Sequence, residues 1–315
     1  MIEVKFFDGH GSVISTLENM SLKEKNILLD CVNPSKVELQ LVAKTFGISF
    51  SDLEKGLDPE ERPTIENFET YNRITISAPI GSNGQSKTIS LSFFVGDNYL
   101  IILSKKKIPL FDKLNNLPKK TYDEAFGKDI SHLLHFYMYQ AINEYFHVID
   151  EIEDEIDKIE NKLFKNVNKS ILKNIFSLKK TLIYFHKSLV ANREVFLSID
   201  KETISQIKKS DLKNYRNLYF DINQLIDMVG THREILTGSM DIYMSAVSNN
   251  LNEVMKKLTV YASYIMVPTL ISGIYGMNFQ HLPEIYWKYG YFFALGLMGL
   301  SVLAIRNSFK KKGWI

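Results

Sequence analysis

The chain has 315 residues, 45% of them hydrophobic and 23% charged, with a formal net charge of +2. That balance excludes disorder as the overall state and gives nucleic acid no electrostatic handle. The one cysteine, Cys31, excludes an internal disulfide framework and suits a reducing compartment as a small buried residue.

The first residues, Met1 to Val13, include Glu3, Lys5 and Asp8 and lack the apolar run of a secretory signal, so the soluble portion is expected in the cytosol. Val4, Phe6, Ile14 and Leu17 suggest edge strands. Pro34-Ser35 is expected to start an amphipathic helix with Val37, Leu41, Val42 and Phe46 inward, stopped at Gly47. The stretches Ile65 to Ile80, Lys87 to Val95 and Tyr99 to Leu103 read as strands, the first two joined across Gly81-Ser82-Asn83-Gly84. Residues 1–125 are therefore expected to form an α/β domain.

After Asp129 the strand signals vanish, and residues 126–209 read as long antiparallel helices broken near Lys165 to Ser170. Ile142, Phe146, Ile149, Ile152, Ile156, Ile159 and Leu163 recur at spacings of three and four, which marks a packed stripe. The same helix carries an acidic face: Asp150, Glu151, Glu153, Asp154, Glu155 and Asp157. Such a face is either a solvated helix surface, or a collector of hard cations or a partner for the C-terminal lysines. His132 and His135, three residues apart, lack a third ligand at a recognised zinc spacing and are expected to be packing and surface residues.

From Asp211 no proline interrupts the chain until Pro268, and Leu218, Ile222, Leu225, Val229, Leu236, Tyr243, Val247, Val254 and Tyr261 keep a heptad rhythm, with His232 and Asn250 filling gaps. One helix of about 65 residues is expected, roughly 100 Å long at 1.5 Å per residue. Residues 210–277 form this stalk and, between 258 and 277, a run without charges that covers about 30 Å, one hydrocarbon core. A step of 3.5 residues gathers Asn252, Met255, Leu258, Ala262, Met266, Thr269, Gly273 and Gly276 on one side, a face of uncharged and mostly small or flexible residues suited to packing between several copies.

Residues 278–288 form a connecting loop, 289–305 a second span with Tyr286 and Trp287 as interfacial anchors, and 306–315 a basic tail. Trp287 and Trp314 would stand about 40 Å apart along a helix, matching the two faces of a bilayer. Lys256 and Lys257 precede the first span, while Arg306, Lys310, Lys311 and Lys312 follow the second. The positive-inside rule then places both termini in the cytoplasm of a protein that crosses the cell membrane twice.

At the outer end of the first span stands Gly276-Met277-Asn278 within Gly273-Ile274-Tyr275-Gly276-Met277-Asn278-Phe279. This string, just after the first of two C-terminal spans, resembles the motif of CorA-type magnesium channels. Asn252-Glu253-Val254-Met255-Lys256, Pro268-Thr269-Leu270-Ile271, Leu282-Pro283-Glu284 and the ending Gly313-Trp314-Ile315 agree with it. The resemblance implies an α+β membrane protein: an N-terminal cytosolic α/β domain, then a long helical stalk continuing into the first of two C-terminal transmembrane helices. It implies a homopentamer in the lipid bilayer, with Gly276, Met277 and Asn278 as selectivity filter, Met255 and Leu258 as hydrophobic gate, Asn252 at the cytosolic entrance and Thr269 deeper in the pore. Lys310, Lys311 and Lys312 would ring the pore mouth.

The transported ion would be Mg2+, with Co2+ and Ni2+ secondary, and cytosolic Mg2+ would also regulate the gate. Where the family pattern calls for a stalk carboxylate this chain has Asn217, so Asp211, Asp221 and Asp227 are the substitute candidates. No organic cofactor is expected. A zinc transporter of the same architecture and a membrane-tethered cytosolic sensor are the competing readings; no phosphate-binding glycine loop or nucleophile elbow supports an enzyme.

Overall fold

Hydrogen-bonding geometry divides the chain cleanly into strands and helices. The computed structural model describes residues 2–7, 12–15, 25–81, 86–108, 129–163, 168–201, 204–278 and 286–314. It resolves into two compact units, Met1–Met240 and Asp241–Ile315.

The first unit holds a mixed sheet ordered β2-β1-β3-β7-β6-β5-β4. Its strands are β1 (Ile2–Phe7), β2 (Ser12–Ser15), β3 (Lys25–Val32), β4 (Thr64–Asn67), β5 (Asn72–Ile80), β6 (Lys87–Val95) and β7 (Tyr99–Ser104). Only the β3–β7 pair is parallel among the described ladders; Ile27 lies opposite Tyr99 and Leu29 opposite Ile101. β1 was expected at an edge, but it runs between β2 and β3, leaving β2 outermost; Leu17 lies outside the described residues. The single stretch expected from Ile65 to Ile80 is a hairpin, β4 and β5, paired from Thr64↔Thr75 to Asn67↔Asn72.

Both faces of the central strands are covered, which is why they read as nearly continuous apolar runs rather than alternating ones. On one side Ile27, Leu29, Cys31, Phe94, Ile101 and Leu103 pack with Leu39, Val42, Phe46 and Leu53. The latter come from α1 (Lys36–Phe46) and α2 (Phe50–Gly56). α1 begins at a capping box in which Ser35 and Glu38 exchange hydrogen bonds, and it ends at Gly47, whose φ of 67° is left-handed backbone that favours glycine. The expected inward set needs correction: Val37 is 74% and Leu41 39% exposed, whereas Leu39, Val42 and Phe46 are buried. Burial pushes the Cys31 thiol up, so it stays a neutral packing group.

The other face packs against α3 (Ile130–Leu163) and α4 (Lys169–Asp200). The isoleucine stripe is buried as expected, with Phe146 half-buried. The Tyr145 hydroxyl donates to Ser77 O at 3.1 Å, fixing α3 to β5. α4 opens on Asn168, whose side chain accepts from Ser170 N and Ile171 N.

α5 runs without a break over Leu212–Tyr275, 64 residues that pass from one unit into the other. Its start is tied to α3: Ser131 Oγ donates to Asp211 Oδ2 at 2.6 Å, and the Tyr215 hydroxyl to Ser131 O at 2.8 Å. Along it Leu218, Ile222, Leu225, Val229, Leu236 and Tyr243 are buried, but the expected stripe does not stay covered, since Val254 is 60% and Tyr261 65% exposed. α6 (Gly290–Lys311) completes the second unit.

Candidate functional site

Among the described residues two helices are long and apolar enough to cross a membrane, within α5 and α6. Only 6% of each apolar window is buried inside the chain. Exposed side chains such as Ile265, Met266, Leu270 and Leu300 would be costly in water, so lipid or further copies must cover them.

On α5 the face Asn252, Met255, Leu258, Ala262, Met266, Thr269 and Gly273 is exposed throughout. Ala262, Met266, Thr269, Gly273 and Met277 line one recess of about 720 Å³, with Ile265, Leu270 and Ile274. Asn252 and Met255 line another of about 500 Å³, with Asn249, Glu253, Lys256, Thr259 and Trp314. Three hydroxyls on this stretch turn their protons back to the helix: Thr259 donates to Met255 O, Ser263 to Thr259 O and Thr269 to Ile265 O, at 2.8, 2.8 and 2.7 Å. The face therefore offers an ion no charge, only neutral oxygens whose protons are turned toward the helix backbone.

The helix ends at the motif. Gly276 N donates to Ser272 O at 2.9 Å, and Met277 N donates to Ile274 O at 3.3 Å, so the last turn tightens as it releases the chain. A Cβ at Gly276 would meet Ser272 O at 3.2 Å, which is why this turn favours glycine. Asn278 is exposed beyond the helix. A helix C-terminus carries free carbonyls and partial negative charge, so neutral oxygen donors and a favourable dipole are offered to a cation at this end. Phe279, Leu282, Pro283 and Glu284 lie outside the described residues.

The opposite end of the second unit is shaped by its last residues. Gly313 adopts φ 65°, Gly313 N donates to Lys310 O at 3.1 Å and Trp314 N to Phe309 O at 3.0 Å. This is a Schellman cap, and its hydrophobic closure is the Phe309–Trp314 stack, with centroids 5.4 Å apart and rings inclined by 13°. The Gly-Trp ending was the signal that could have announced it. Lys310, Lys311 and Lys312 are exposed around the cap, where the helix dipole favours positive charge.

The acidic residues do not gather into one site. Among the described residues no group of three or more His, Cys, Asp or Glu side chains is arranged to hold a metal. Asp150, Glu151, Glu153, Asp154 and Asp157 are exposed on α3, and Glu155 pairs with Lys158 at 2.7 Å. Asp211 is engaged by Ser131. Asp221 is half-buried, and burial pushes its carboxyl up. Asp227 lines a recess with Glu153, Gln224, Met228, Thr231 and His232. His132 and His135 have ring centroids 6.4 Å apart, and His135 meets Tyr215 edge-on at 5.3 Å, which is packing.

Residues 23–311 match the family model described as CorA-like Mg2+ transporter protein. The chain is 34% identical, over its whole length and the whole of the relative, to the cobalt/magnesium transport protein CorA of Methanocaldococcus jannaschii. It is 32% identical to the corresponding protein of Thermotoga maritima, covering 88% of this chain and 80% of that one. Among solved structures, the complete structure of the CorA magnesium transporter from Methanocaldococcus jannaschii superposes with a TM-score of 0.89 at 33% identity, covering 100% of this chain and 99% of the other.

Proposed function

The chain belongs to the CorA-like Mg2+ transporter family, a family of transporters rather than enzymes, and from that premise we propose that it forms a homopentameric channel for Mg2+ influx. It is a multi-pass membrane protein that transports divalent cations, Mg2+ and Co2+ being those its relatives are named for. Ni2+ is a further cargo. Residues 1–125, 126–209 and the stalk up to 257 lie in the cytosol, 258–277 and 289–305 span the bilayer, 278–288 is external, and the basic tail 306–315 returns inside.

The observation that carries the proposal is the continuity of α5: an uncharged, exposed face from Asn252 to Gly273 leads directly to Gly276, Met277 and Asn278 at the helix end. Mg2+ dehydrates reluctantly, so a ring of neutral carbonyl and amide oxygens at this end recognises the ion through its water shell. Below it the exposed apolar side chains of Met255 and Leu258 act as a constriction that closes by dewetting. A membrane potential supplies about 2.3 kcal/mol per charge per 100 mV, hence roughly twice that for a divalent ion, so no intramembrane carboxylate or coupled proton is required. Cytosolic Mg2+ regulates the gate through stalk carboxylates, for which Asp221 and Asp227 are better placed than Asp211, already held by Ser131.

The test is Mg2+ influx into liposomes holding the purified protein and an indicator dye, under an inside-negative potential. The unchanged protein should conduct and Asn278→Ala should not. Equal flux through both would remove the filter, and no Mg2+ flux through either, with Zn2+ moving under a proton gradient, would favour a zinc transporter of this architecture.

A further inference from the structure

His232 is the one buried histidine among the described residues whose two ring nitrogens both lack a hydrogen-bond partner. It is 6% exposed. Leaving a buried polar group unpaired costs about 1–3 kcal/mol, and native structures rarely tolerate it without a purpose. The ring lines a recess of about 540 Å³ with Glu153 from α3 and with Gln224, Asp227, Met228 and Thr231 from its own helix, α5.

His232 Nε2 faces Glu153 Oε2 at 4.0 Å. That is too long for a hydrogen bond. One ion bound to both atoms at about 2.0–2.2 Å in a tetrahedral arrangement would hold them roughly 3.3 Å apart, so the two groups need to close by less than about 1 Å. The Glu153 side chain is 57% exposed, so it is free to make the small adjustment that a bent ligand arrangement needs. Asp227 brings a second carboxylate to the same recess and Gln224 an amide oxygen.

We propose that His232 and Glu153 hold one first-row divalent cation of the Co2+, Ni2+ or Zn2+ class between the acidic helix α3 and the stalk helix α5. Three ligating side chains are not already closed around one centre, so water completes the coordination and Asp227 acts through it. An imidazole nitrogen suits these ions, whereas Mg2+ prefers oxygen alone, so the site discriminates against Mg2+ by its chemistry. A bound ion clamps α3 to the helix that continues into the first span. The site thereby reports a transition-metal cargo to the pore-forming element, and through Asp227 it shares a carboxylate with the Mg2+ regulation proposed for the stalk. The proposal uses the transport reading only to bring such ions to the chain; the binding itself needs no flux.

The experiment is a Co2+ titration of the detergent-purified full-length protein in excess Mg2+, followed by calorimetry and by the visible absorption of the bound ion. His232→Gln and Glu153→Gln should each weaken one site per chain by at least about tenfold, the loss expected when a ligand is removed. Asp227→Asn should weaken it less, and His147→Gln, an exposed histidine on α3, not at all. Co2+ affinity unchanged by His232→Gln, or a bound ion with no nitrogen ligand by X-ray absorption, overturns the proposal. Should His232→Gln fail to purify, Glu153→Gln carries the test alone, because its side chain is largely in solvent. Failure of the Asn278 flux test would leave these affinities untouched, so the two claims fail separately.

Discussion

Asn192 and Ser77 exchange two hydrogen bonds, Ser77 N donating to Asn192 Oδ1 at 2.8 Å and Asn192 Nδ2 donating to Ser77 O at 2.9 Å. β4 begins at Thr64, opposite Thr75, and two residues farther along β5 the side-chain amide of Asn192 supplies the partner for the Ser77 backbone. Both residues are buried. Asn192→Ala should cost about 2–3 kcal/mol, since the Ser77 N–H loses its partner while Tyr145 still serves the carbonyl. Asn192→Asp should be worse at neutral pH and recover relative to Asn192→Ala as the pH falls, because a protonated carboxyl can donate to Ser77 O and an ionised one cannot. Thermal unfolding of both variants across pH checks this, and parallel curves would reject it.

Arg73 is fully buried and held by Glu66 at 2.6 Å and Glu61 at 3.3 Å, while Lys55 joins Glu66 at 2.7 Å. Burial pushes the Glu66 carboxyl up, but the Lys55 hydrogen bond and the charges of Arg73 and Lys55 outweigh it and hold the group below the ordinary glutamate range. A depressed carboxylate contributes stability above its unfolded pKa and loses it as the pH falls through the folded one. Glu66→Gln should therefore destabilise the protein near neutrality, by less than the roughly 3–5 kcal/mol of breaking a fully buried pair, and flatten the acid limb of its stability. Denaturant midpoints at pH 7 and pH 4 measure both effects.

His135 shows the opposite chemistry with the same sign. Burial and the neighbouring His132 hold its pKa down to about 4 from 6.5. The unfolded chain takes up the proton first on acidification, so stability is full above pH 6.5 and falls toward pH 4, by about 3 kcal/mol in all. His135→Phe, which keeps the ring against Tyr215, should remove that slope. A variant that retains the slope would move its origin to another group.

How much of this was visible beforehand depends on how local the cause is. The long helices were legible because apolar residues at spacings of three and four from Ile142 to Leu163 need nothing but a partner surface. β3 was missed because Ile27-Leu28-Leu29 is buried on both faces and shows no alternation. Val37 and Leu41 were turned inward in expectation because hydrophobicity alone cannot say which side of α1 meets the sheet; Leu39 settles it. The covering of α5 stops after Tyr243: among the described residues nothing buries Val254 or Tyr261. The Gly276-Met277-Asn278 string is readable because it is contiguous, whereas the approach of Glu153 to His232 joins two helices far apart in sequence, and in the sequence His232 is only a polar gap in a heptad.

The end of the first span yields the sharpest prediction about transport. Gly276 keeps a negative φ, so alanine is allowed by its own backbone, but the new methyl would lie 3.2 Å from Ser272 O, the carbonyl that accepts the Gly276 N–H. Relief must come from movement of the last turn, and that turn carries Met277 and Asn278. Gly276→Ala should therefore assemble and unfold like the parent while losing about tenfold or more in Mg2+ flux, as small displacements of a preorganised site do. Gly296→Ala in α6, where an added Cβ meets nothing within 4 Å, is the comparison. Liposome flux and thermal unfolding measured together decide the matter: a loss of flux with unchanged unfolding assigns the glycine to the geometry of the proposed filter, and unchanged flux would mean that the proposed ring tolerates displacement and selects by its oxygen chemistry alone.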